Sequence, residues 1–198
     1  MKKLFLTTIL LCAAAFVTTA KAGVIYDIQN GKLAGASGID IAGQLYSVTF
    51  GHSCASMYSG CLSSQLDFTT QQSAVVAMDA LFNQVLVNNV LIGGTTYNFD
   101  SRPELVNSCD RIAFCEMWIP YQIASASTVR SAWRVNAGTY NGGGSVNYVS
   151  QFTYGDGLGY MAFTNFQKIV LVPEPTSIAL LGLGLAGLAF SRKKKTTN

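Results

Sequence analysis

The sequence predicts an α+β fold: a single antiparallel, β-rich domain with one main amphipathic helix, plus an N-terminal signal peptide and a C-terminal hydrophobic helix. Three observations predict it. Apolar and polar residues alternate with period two in several short stretches separated by glycine-rich turns. A helical period runs through one stretch only, residues 71–88. An apolar run with lysines at its border lies at each end of the chain.

The elements follow in chain order. Residues 24–28 read as a first strand, and residues 31–38, with three glycines, as a turn-rich link. Residues 45–50 alternate, with Tyr46, Val48 and Phe50 on one face and Ser47 and Thr49 on the other. Gly51-His52-Ser53 enters a loop bounded by Cys54 and Cys61. The helix of residues 71–88 is capped by Thr69 or Thr70, and Ala74, Met78, Leu81, Phe82 and Val85 form its apolar face. Gly93-Gly94 starts another turn. The stretch up to Cys115 reads as loop, because Arg102-Pro103 breaks regular structure. Strands follow at residues 116–123, 128–136, 146–154 and 161–172. In the second of these, Val129, Ser131, Trp133 and Val135 face one way. Arg130, Ala132 and Arg134 face the other, with both arginines expected in solvent. Gly142-Gly143-Gly144 and residues 155–159 supply the turns of this antiparallel set.

The N-terminal run is short. Lys2 and Lys3 precede residues 4–17, apolar apart from Thr7 and Thr8, and Ala20-Lys21-Ala22 fits a small-residue cleavage pattern. About 14 apolar residues fall short of the roughly 20 that a spanning helix needs, which favours a cleaved signal over an anchor. Cleavage is expected after Ala22, leaving Gly23 as the first residue. Cys12 does not read as a lipoprotein cysteine, because Leu11 precedes it where a small residue belongs. The chain therefore divides into a signal peptide (1–22), an extracytoplasmic domain (23–171) and a C-terminal segment (172–198).

That last segment has three parts. Val172-Pro173-Glu174-Pro175 can neither continue a strand nor sit inside a helix, though proline suits a helix start. Residues 178–190 are wholly apolar or glycine, and Arg192, Lys193, Lys194 and Lys195 follow at once. A helix over residues 176–191 would be about 24 Å long, marginal against a hydrocarbon core of about 30 Å, and snorkelling lysines with local thinning make up the difference. A buried core helix would not end in four cations. The basic cluster acts as a stop-transfer signal held in the cytoplasm, so the domain before it lies outside.

Pro173-Glu174-Pro175, the short glycine-rich apolar helix and the arginine-led basic end resemble the PEP-CTERM sorting signal of Gram-negative bacteria, a segment also labelled an ice-binding protein C-terminal domain. The resemblance covers about 26 residues. It implies an exosortase, a membrane cysteine protease, as processing enzyme alongside the signal peptidase. It also implies transient anchoring in the inner membrane, cleavage near Pro173–Pro175, release or attachment at the cell surface, and exopolysaccharide as the associated material. The body is similar, more weakly, to many small PEP-CTERM proteins. The shared order is Leu45-Tyr46-Ser47-Val48-Thr49-Phe50, Cys54, Gly60-Cys61, Asp67-Phe68-Thr69, the helix, then Cys109, Cys115 and Pro120-Tyr121. Those proteins have no assigned activity.

Composition bounds the partners. The chain carries +3 overall, but residues 23–172 hold six basic against nine acidic residues, a net −3. A nucleic-acid role therefore loses its electrostatic basis. Four cysteines remain after signal removal, and an even number in an exported chain reads as disulfides. Local pairing of Cys54 with Cys61 and of Cys109 with Cys115 is the simplest of the three connectivities. A four-cysteine zinc site would want tighter spacing than these pairs show.

Candidate chemistry is sparse. His52 is the only histidine, beside Ser53 and Cys54, and reads as a solvated loop residue, since adjacency in sequence is not triad geometry. Asp100, Glu104, Asp110 and Glu116 accompany Arg102 and Arg111 and read as surface ion pairs, with a paired-carboxylate glycosidase as the catalytic rival. Asp156, between glycines, is far from a calcium loop. No catalytic residue, metal site or cofactor motif is expected. The function the sequence supports is a non-catalytic, exported envelope or matrix protein. The alternatives are a carbohydrate-binding module, with Tyr140, Tyr148 or Trp133 as aromatic platforms, and a polysaccharide-acting hydrolase.

Overall fold

Seven strands hydrogen-bond into one sheet, and the last of them in sequence lies in its middle. The computed structural model describes residues 23–110, 113–125, 128–137, 146–150, 159–170 and residue 182. The sheet contains β1 (Ile25–Gln29), β2 (Lys32–Ile41), β3 (Gln44–Gly51), β6 (Cys115–Ser125), β7 (Thr128–Asn136), β8 (Val146–Ser150) and β9 (Met161–Lys168). A separate hairpin pairs β4 (Val90–Ile92) with β5 (Thr95–Tyr97). A short helix α1 (Cys54–Met57) follows β3, and the main helix α2 (Gln71–Gln84) comes before β4. The architecture is thus mostly sheet with one long helix, α+β and rich in antiparallel pairs.

The strand order is β1-β2-β3-β9-β6-β7-β8. All neighbours are antiparallel except β6 and β9, which run parallel with Glu116 opposite Met161 and Trp118 opposite Phe163. The expected antiparallel set of the last four strands is therefore corrected. Strand β9 does not follow β8 at the edge but inserts between β3 and β6, joining two antiparallel halves. Its composition suits that place. Met161, Ala162, Phe163, Thr164 and Phe166 are all buried, as a strand covered on both faces requires.

The expected turn-rich link at residues 31–38 is also corrected, since most of it belongs to the ten-residue strand β2. Gly31 stays in the β1–β2 turn, whereas Gly35 and Gly38 serve the sheet. A Cβ on Gly35 would lie 2.6 Å from the Val48 carbonyl oxygen of the neighbouring strand. Gly38 has φ +80° where the pairing with β3 slips between Ser37 and Ile39. Close backbone approach and a bulge are the two uses of glycine inside a strand.

Both faces of the sheet are covered. On one face Val48, Phe50, Met117, Ile119, Ala162 and Phe166 meet Ala74, Ala77, Met78 and Leu81 of α2. On the other, Trp118, Val129, Met161 and Phe163 meet Cys54, Tyr58, Cys61 and Leu66. Alternation along β6 and β9 makes this possible, because odd and even residues point to opposite faces.

Helix α2 starts where a cap is available. The Thr70 side chain accepts from the Ser73 amide and Ser73 reciprocates, forming a capping box. Val85 ends the helix, earlier than Asn88. Arg134 corrects one more expectation. It is not free in solvent: its guanidinium lies 4.4 Å from the centre of the Phe82 ring and 3.4 Å from Asp79, both on α2. Ala132, on the same strand face, is buried beneath the helix, so this is the helix side of the sheet. Arg130 does remain exposed, reaching Gln122.

Candidate functional site

Disulfides join Cys54 to Cys61 and Cys109 to Cys115, the two local pairs. The first closes a loop that α1 opens. Ser53 caps α1 by accepting from the Ser56 amide, and the loop then lies flat on the sheet. The Tyr58 hydroxyl donates to the Thr164 carbonyl oxygen, and Asn165 donates to the Met57 carbonyl oxygen. A Cβ on Gly51 would fall 2.1 Å from the Met57 sulfur, so the Met57 side chain packs into the space that glycine leaves. The second disulfide ties the strap preceding β6 to that strand's first residue. In the chain-entropy account, loops this short contribute about 2–3 kcal/mol each.

The residues considered for chemistry are dispersed. His52 is exposed, its neighbour Ser53 is engaged as a helix cap, and Cys54 is disulfide-bonded, so the three offer no nucleophile and base pair. The middle carboxylates each have a different partner. Asn88 donates to Asp100, Arg102 pairs with Glu104 at 2.8 Å, Lys32 pairs with Asp110 at 2.9 Å, and the Trp118 indole donates to Glu116. Burial raises the Glu116 carboxyl, and that indole hydrogen bond opposes the rise. Among the described residues no three metal-ligating side chains gather. Trp133 is half-buried and stacks on Trp118 with ring centres 5.7 Å apart, so it is packing and not an exposed platform. Arg111, Tyr140 and Asp156 lie outside the described residues, as does the side chain of Tyr148.

One open groove, about 500 Å³, lies between the β2–β3 turn and the start of α2. Tyr46, Asp67, Phe68, Thr70 and Gln72 are among its lining residues. Phe68 is buried against Tyr46 and Phe166. Loss of water contact pushes the Asp67 carboxyl up to about 6. Tyr58 is raised far more, first by burial and then by the nearby Asp67 charge. The sequence offered Asp67 only as part of the Asp67-Phe68-Thr69 string, with no chemistry attached to it. Its signal was its place between a disulfide loop and a helix cap, which only the fold turns into proximity to Tyr58.

The described domain ends after β9 near the β2–β3 turn. Ile169 donates to the Leu45 carbonyl oxygen, and Gln44 donates to the Ile169 carbonyl oxygen, so the chain leaves the sheet beside the β2–β3 turn. Val170 is 77% exposed. The expected signal peptide (1–22), Pro173, Glu174 and Pro175, the apolar run 178–190 and Arg192 to Lys195 all lie outside the described residues; Gly182, within that run, is described as helical. Among the described residues no helix is long and apolar enough to cross a membrane.

Residues 171–193 match the family model of the PEP-CTERM protein-sorting motif. The match implies an exported protein that an exosortase processes and that is anchored in the membrane for a time. No curated protein and no solved structure matches the chain.

Proposed function

We propose that the protein is a non-catalytic component of the cell envelope or extracellular matrix, sorted by an exosortase and associated with exopolysaccharide. Signal peptidase removes residues 1–22, leaving Gly23 first. The apolar run 178–190 then holds the chain in the inner membrane, with Arg192 to Lys195 on the cytoplasmic side, until cleavage near Pro173–Pro175 releases the domain. The observation that carries this reading is the sorting motif at residues 171–193, which begins close after the end of β9 at Lys168. The non-catalytic part draws support from the dispersal of the polar side chains: both described cysteine pairs are oxidised, the histidine is exposed, and the carboxylates are separately partnered.

Replacing Pro173, Glu174 and Pro175 by alanine leaves the apolar run and its basic flank intact. In a host with the exosortase, full-length protein should then accumulate in the membrane fraction. The unaltered protein should be shortened and recovered with the polysaccharide. A tag before Val172, followed by fractionation, reads both. Normal release of the triple variant would remove the main support for sorting. Free release with no polysaccharide association would remove only the matrix role.

A further inference from the structure

Both ends of the described domain leave the same rim of the sheet. Ile25 of β1 pairs with Ser37, Ser37 with Ser47, and Ser47 with Gln167 of β9. These four residues are therefore level across four strands. The chain enters two residues before Ile25, at Gly23, and leaves three residues after Gln167, at Val170. Three strand spacings separate β1 from β9, about 14 Å. Between them on this rim lies the β2–β3 turn, with Ala42 and Gly43 exposed. Ile25 and Val170, 68% and 77% exposed, are two of the four large apolar side chains left open to water among the described residues.

The tail is short. Val170 to Pro173 is three residues, at most about 10 Å of chain, and Val170 to Ile178 is eight, at most about 28 Å. Headgroups occupy roughly 5–8 Å of that distance on each side of the hydrocarbon. A domain anchored through residues 178–190 is thus held with this rim close to the lipid, and the entering chain at Gly23 comes from the same side.

We propose that the rim formed by the start of β1, the β2–β3 turn and the end of β9 is the surface that the anchored protein turns toward a phospholipid bilayer. Exposed Ile25 and Val170 meet the interface, and Lys168, exposed at the end of β9, faces the headgroup phosphates. The opposite end of the sheet, with the β1–β2 turn and the Cys109–Cys115 disulfide, points away. This rests on the anchoring reading above.

The test uses the chain from Gly23 to its C-terminus in vesicles of phosphatidylethanolamine and phosphatidylglycerol. A benzophenone amino acid replaces Ile25 in one preparation and Gln29 in another. Both positions are exposed, on the same strand and the same face, and differ only in height above the rim. Flotation is measured first, then lipid adducts after irradiation, by the mass of the protein. Several-fold more adduct at position 25 than at position 29 is expected. Equal adducts, or more at position 29, overturn the orientation while leaving sorting untouched. Failure of both preparations to float overturns the anchor and the orientation with it.

Discussion

Asp67 is the described side chain whose ionisation costs the fold most clearly. Its folded carboxyl titrates near 6, above the ordinary value of 3.8, because the groove withdraws water from it. Between these two values the folded state holds a proton that the unfolded state has lost. Stability from this group therefore falls as pH rises from about 4 to about 6, and the loss is complete at neutral pH. Replacing Asp67 by Asn should raise the melting temperature at pH 7 and leave it nearly unchanged at pH 4. Thermal melts at the two pH values measure this. A variant that melts lower at pH 7 would show that the charge has a partner worth more than its lost hydration.

At the scale of elements, α2 depends on its first turn. Thr70 and Ser73 satisfy each other's backbone amides, and no acidic residue stands in that turn to assist. Thr70→Ala should cost about 1 kcal/mol, which for a domain of this size is a fall of about 2–4 °C in melting temperature. A Ser substitution at the same position should restore most of it. This helix was legible in the sequence because its apolar face repeats with a clear period and its cap is a local signal. Strand β2 was not, because Gly35 and Gly38 imitate the punctuation of a loop. Gly35 sits in the strand against the carbonyl of Val48, which belongs to another segment. The same holds for the candidate site. Local cysteine pairing and the sorting tail could be read from neighbouring residues. The nearness of Asp67 to Tyr58, and of Ile169 to Leu45, depends on packing between distant ones.

On the scale of the whole molecule, β9 decides whether there is one fold or two halves. Strands β1 to β3 form one antiparallel unit and β6 to β8 another, and β9 contacts both. Without it, Val48, Phe50 and Trp118 lose Phe163 and Phe166 from their clusters. A chain ending at Val170 should therefore keep a cooperative melt, since it retains every described strand of the sheet. A chain ending at Gly159 should lose it, exposing two unpaired strand edges and aggregating. Circular dichroism and light scattering of the two truncations compare them directly.

The central place of β9 also has a mechanical meaning. The tail is the continuation of this strand, so tension on the anchor pulls β9 lengthwise. Six residue pairs, from Tyr46 with Lys168 to Gly51 with Phe163, then share the load in shear along β3, with three more along β6. An edge strand pulled the same way would share the load with one neighbour only. On the anchoring proposed above, the tether grips the protein at a strand held on both sides, for as long as the tail remains uncut.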